Sequence, residues 1–149
     1  MIKTFFWTLI GFFIIAMTQF LVPDFSNFLR LYGLFMVPLI IFSLLGIPLI
    51  IFTVREKAKG LHKIFLLLTG ASTVGFMLFV VLHNVFYAIG MLTISTPILN
   101  QLMEILHVTF FILAIPICPI VFAVGAIGTI TMEIRKLSNS KNIRKKKRK

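Results

Sequence analysis

Three side chains in this sequence combine reactive chemistry with a spacing that would let them share a site: His83, Glu104 and His107. Two imidazoles and a carboxylate are a ligand set suited to zinc or iron, with neighbouring donors orienting the rings. The same two histidines on facing helices would clamp a haem axially. Titratable His and Glu in a wet cavity would instead carry protons. Glu104 and His107 are three residues apart, so on a helix they project from neighbouring positions of one face. His83 has to arrive from another element, and Asn84, Tyr87 and Gln101 are placed to stand close by. A plainer reading stands against all three chemistries: His83 bonds a neighbouring hydroxyl, and Glu104 and His107 sit among lipid headgroups. No HExxH or CxxC spacing accompanies them, so the constellation alone does not specify a metal. Of the two, the plainer reading is preferred, with a metal site at His83, Glu104 and His107 as the alternative.

Composition dictates the elements that must position these residues. The 149 residues are 59% hydrophobic and 13% charged, with 17 Phe and 4 acidic residues, against about 45–50% apolar and about 25% charged in a soluble domain. A soluble globular domain is excluded, and so is a disordered chain, which needs far more polarity to stay solvated. Four apolar stretches, about 4–22, 31–54, 64–90 and 102–132, hold no Lys or Arg, and each is long enough to cross a hydrocarbon core of roughly 30 Å. The fold class expected is an all-α integral membrane protein with four transmembrane helices in two hairpins. Its domain covers 1–136, and a basic tail follows over 137–149. The first stretch outruns the apolar core of a signal peptide and no small-x-small cleavage site precedes Pro23, which predicts a retained helix.

Fourteen of the fifteen Lys and Arg residues fall on one side of this arrangement: Lys3, the connection 55–63, and the segment from Arg135 onward. Arg30 is alone on the other. Cytoplasmic loops carry the basic excess, so a multi-pass protein of the cell membrane with both termini cytoplasmic is expected. Trp7, Tyr32 and Tyr87 fall near span ends, where amphipathic rings settle. His83 then lies seven residues inside Gly90, roughly 10 Å from the outer end of span three at about 1.5 Å per residue.

At helical spacing Thr69, Ser72, Phe76, His83, Tyr87 and Gly90 share one sector of span three, with Thr73 and Asn84 at its edge. That face should point into the bundle, because polar groups facing lipid are costly. Small residues allow close helix approach in lipid. Ala71 and Gly75 on span three and Gly125 and Gly128 on span four lie at similar depth, which predicts packing between them, within one chain or between chains. Pro38, Pro48, Pro116 and Pro119 predict kinks in spans two and four.

The segment Lys141 to Lys149 carries seven basic residues in nine, and each adds about 1 kcal/mol of attraction to an anionic leaflet. Arg144, Lys145, Lys146, Lys147, Arg148 and Lys149 are therefore expected on anionic lipid headgroups. No aromatic residue interleaves them, which disfavours nucleic acid. Cys118 has no disulfide partner, and His62 falls in a basic connection with no role assigned. Phosphate-binding Gly-rich loops and nucleophile elbows are absent, and the connections are too short for a catalytic domain. The expectation is a non-enzymatic structural or accessory membrane component without a cofactor. The alternative is a transporter or metal-binding protein using His83, Glu104 and His107. Four helices do not readily enclose a pore, so transport would call for a homo-oligomer or a larger membrane complex.

Overall fold

The computed structural model describes residues 1–56 and 59–146, with side chains as far as Ser138. The described residues are helical and contain no strand. Four helical stretches are long and apolar enough to cross a membrane, as the composition requires. The chain runs through α1 (Ile2–Leu21), α2 (Pro23–Leu31), α3 (Val37–Arg55), α4 (Gly60–Leu92), α5 (Pro97–Ile112), a π-helical turn (Leu113–Ile117) and α6 (Cys118–Lys146).

Proline sets several of the helix starts. Pro23, Pro38 and Pro97 occupy the first turns of α2, α3 and α5, where the missing N–H would have found no intrahelical partner. Pro38 is thus a starter and not the source of a kink inside span two. Pro48 does lie inside α3, and Pro116 lies inside the π-helical turn. Without an amide proton, Pro116 cannot donate to Ile112, and the chain widens by one residue per ring, with the Cys118 N–H reaching back to the Leu113 carbonyl.

Span two starts later than the sequence predicts, because apolarity alone runs on from Leu31 through the turn. α2 is a separate short helix that ends in a left-handed cap: Gly33 has φ 66°, and the Leu34 N–H reaches the Leu29 carbonyl at 2.8 Å. Only glycine takes that conformation without a Cβ penalty. Arg30 lies over the Phe35 ring, 5.1 Å from its centroid. The connection between spans three and four is short, because α4 runs to Leu92 and the helix of span four already starts at Pro97. At the other end α6 continues without a break from Leu137 to Lys146. The side chains of Arg144, Lys145 and Lys146, and Lys147, Arg148 and Lys149 entirely, lie outside the described residues.

α4 is the central helix, packed against α3, α5 and α6, with α1 laid along α3. Phe6, Leu9, Phe42, Leu49, Leu66, Phe122 and Ala126 form the main core. Phe13 stacks on Phe122 at 4.3 Å, and Phe42 meets Phe122 at 5.2 Å. These contacts bring α1, α3 and α6 together in mid-bundle. Dense packing matters because lipid gives helices no hydrophobic reason to associate, and van der Waals contact has to do it. Large apolar side chains such as Ile14, Leu44, Leu78, Ile120 and Ile127 are exposed on the outside. In water that surface would aggregate, whereas in a bilayer it is the solvated one.

The closest helix approaches are at glycine. A Cβ on Gly125 would stand 2.6 Å from Thr69 Oγ1 and 2.9 Å from the Phe65 carbonyl, and one on Gly128 would run into the Phe65 ring. The Gly125 and Gly128 surface of span four therefore packs on span three within one chain. Its counterpart is different from the sequence expectation. Gly75 has only ordinary contacts, to Phe79 and Cys118, and Ala71 is exposed. Span three receives α6 most closely at Phe65 and Thr69 and at ordinary distance at Gly75, and it receives α3 at Gly70, where a Cβ would stand 3.1 Å from the Gly46 carbonyl.

Candidate functional site

The polar sector of span three divides in two. Thr69, Ser72, Thr73 and Phe76 are buried, as expected. Their hydroxyls donate to carbonyls of α4 itself: Thr69 to Phe65 at 2.9 Å, Ser72 to Thr69 at 2.9 Å and Thr73 to Gly70 at 2.8 Å. Such bonds satisfy the hydroxyls locally and leave none of these donors committed to a passenger.

Further along, α4 presents His83 to α5. The rings of His83 and His107 are 5.2 Å apart. His83 Nδ1 lies 2.8 Å from the His107 carbonyl oxygen. A carbonyl only accepts, so Nδ1 carries a proton and donates it, which leaves Nε2 outside that bond. Phe111 packs on His83 at 5.4 Å, and Tyr87 stands edge-on to His107 at 5.6 Å. Phe110 stacks on Phe79 at 6.0 Å and on Phe86 at 5.4 Å, bracketing the pair. Gly90 faces α5 at ordinary contact distance, where a Cβ would be 3.5 Å from Met103 Cβ.

His107 opens on a groove of about 230 Å³, lined also by Phe86, Tyr87, Asn100 and Glu104. The two histidines expected to meet do meet, and Glu104 shares the groove with one of them. The three-ligand set does not assemble, however: the described residues contain no group of three His, Cys, Asp or Glu side chains placed to hold a metal ion. Geometry explains it. With His107 turned to α4, a residue three positions earlier is rotated about 60° and displaced about 4.5 Å along the axis. Glu104 is accordingly exposed. Asn84 and Gln101 are exposed too, and Asn84 spends its amide on the Val80 carbonyl at 2.7 Å.

Gln19, Ser43, Thr53 and Thr129 are buried polar residues outside the sector that the sequence marks. Gln19 of α1 is buried and donates Nε2–H to the Phe35 carbonyl at 3.0 Å, tying α1 to the turn before α3. A lone amide in an otherwise apolar span was the available signal, since such a group needs a partner inside the protein. Comparison with family models, curated proteins and solved structures gives no match.

Proposed function

We propose that this chain is a small structural or accessory component of a cell membrane, not an enzyme, with its spans in two hairpins and both termini in the cytoplasm. One observation carries the reading: Phe13, Phe42 and Phe122 fill the middle of the bundle, so a single protomer has an aromatic plug where a pathway would run. The orientation is supported by the basic excess at one end, where Lys3 also pairs with Glu133 at 3.5 Å and the amino terminus with Glu56 at 3.8 Å. Its partners are the bilayer, anionic headgroups under Arg144 to Lys149, and a second copy or a larger membrane complex. Proteoliposomes test it. Proton leak equal to that of empty vesicles, together with elution from mild detergent as an assembly heavier than the 16.9 kDa chain, is the expected result. Saturable flux through a monomer would overturn it.

The His83–His107 pair favours a second reading, a cation- or proton-responsive groove. His83 is held by its Nδ1–H bond with Nε2 outside it, and Glu104 and His107 face the same opening. A zinc or iron ion there would need ligands from solvent or a second chain in addition. Elemental analysis beside His83→Ala decides it: near-stoichiometric metal lost in the variant establishes the groove as a metal site, and its absence from both samples rejects that.

A further inference from the structure

At the opposite end of the bundle from the histidine pair, a notch of about 290 Å³ opens between the start of α1, the first turn of α4 and the far part of α6. Lys3, His62, Glu133 and Lys136 line it with Met132 and Leu137. His62 therefore belongs to α4 and not to a free connection. Its charge balance is uneven. Glu133 is already engaged by Lys3 at 3.5 Å, which leaves the Lys136 ammonium in excess. Lys59, at the head of α4, makes no side-chain cap bond, so the unpaired N–H groups and positive dipole end of that helix add to the excess.

His62 adds a polar group that the fold itself leaves unsatisfied. Its Nδ1 is buried without a hydrogen-bond partner. An orphaned buried N–H costs more than an orphaned lone pair, which favours the tautomer with the proton on Nε2. Nε2, the other ring nitrogen of this notch-lining residue, is then a donor. Two ammonium groups, an imidazole N–H and a helix start, with one carboxylate already paired, are an arrangement for phosphate oxygens.

We propose that this notch binds a phosphate group through Lys3, His62 and Lys136, the source being the headgroup of an anionic phospholipid at the basic face. The site goes beyond the accessory role proposed above and requires only that the bundle sit in a membrane, since basic pockets between helix ends are where anionic headgroups lodge. Glu133 acts as a brake: by holding Lys3 it competes with the phosphate for the same ammonium.

The full chain is purified in detergent and titrated with phosphatidylglycerol or phosphatidylcholine, and retained lipid is counted by native mass spectrometry. A variant with Arg144, Lys145, Lys146, Lys147, Arg148 and Lys149 all changed to Gln separates the notch from the basic segment. The expected result is one retained phosphatidylglycerol in the wild type and in that variant, weakened roughly tenfold by Lys136→Gln or His62→Phe, as for loss of a charge-assisted hydrogen bond. Glu133→Gln should strengthen retention by roughly fivefold, the worth of a partly exposed ion pair released to the ligand. A merely structural role for Glu133 would not give that sign. Inorganic phosphate is titrated in parallel: binding with the same dependence on Lys136 and His62, with no preference for the lipid, keeps the site and makes its source free phosphate. Retention of neither ligand, or retention indifferent to Lys136→Gln and His62→Phe while Cys118 stays protected from alkylation, overturns the proposal.

Discussion

Replacing Gly125 by Ala adds one methyl group where α6 runs close to the backbone of α4. The new Cβ would meet Thr69 Oγ1 at 2.6 Å, Thr69 N at 2.8 Å and the Phe65 carbonyl at 2.9 Å. Two of these three atoms are backbone, so no rotamer change relieves the clash. Reaching ordinary contact at 3.4 Å requires α4 and α6 to part by roughly 0.5–0.8 Å. A gap of that size forfeits about a quarter to a half of each dispersion contact along the seam, and overpacking costs about 1–3 kcal/mol. Ala also favours a helix over Gly by about 0.8–1 kcal/mol, which would mask part of the loss. Gly75→Ala is the internal control: it shares the propensity gain, and its Cβ meets only Phe79 at 3.5 Å and Cys118 Sγ at 3.7 Å. The common gain cancels between the two variants, leaving Gly125→Ala about 1–3 kcal/mol less stable than Gly75→Ala. SDS-driven unfolding in mixed micelles, followed by the fluorescence of Trp7, reads this difference. Equal midpoints, or a later midpoint for Gly125→Ala, would refute the close approach of α4 and α6.

Three further perturbations report on other parts of the bundle. Phe122→Ala should cost about 3–5 kcal/mol in the same titration, because it removes the ring that stacks on Phe13 and meets Phe42; a loss below about 1 kcal/mol would show that the aromatic plug is not a packing centre. Cys118 is 6% exposed and should resist a maleimide in mild detergent yet react fully in SDS, with fast labelling of the folded protein counting against its placement. Nitrogen NMR of the histidines should find a proton on His83 Nδ1, and a form with the proton on Nε2 alone would break the assigned bond to the His107 carbonyl.

The four spans were legible because about twenty uninterrupted apolar residues have only one stable use. The start of span two was not: Leu31 to Val37 is as apolar as the helix beyond it, and only the left-handed Gly33 marks the break. Gly125 and Gly128 declared themselves as small residues at the right depth. Their receptors on α4 did not, because Phe65 is neither small nor polar and the contact uses its carbonyl and ring. The meeting of His83 with His107 followed from antiparallel packing and similar depth. That Glu104 would stand aside depends on the rotation of α5 about its own axis, which sequence spacing leaves open by tens of degrees. The tie made by Gln19 is illegible for a different reason, since its partner is a backbone carbonyl that no side-chain pattern announces.

The π-helical turn at Leu113–Ile117 bears on how this protein tolerates change. Ala114, Cys118, Phe122 and Ala126 are all buried at intervals of four, whereas a plain α-helix would drift about 40° at each such step. The wider ring absorbs part of that drift, like an extra tooth that brings two gear wheels back into mesh. It keeps the histidine half and the glycine half of one long shaft aimed at the same neighbour. Removing a single residue from the turn would advance everything after it by about 100°, swinging Gly125 off Phe65 and Thr69. Length in this five-residue stretch is therefore a tighter constraint than residue identity, and a one-residue deletion there should do more damage than most substitutions elsewhere in the helix.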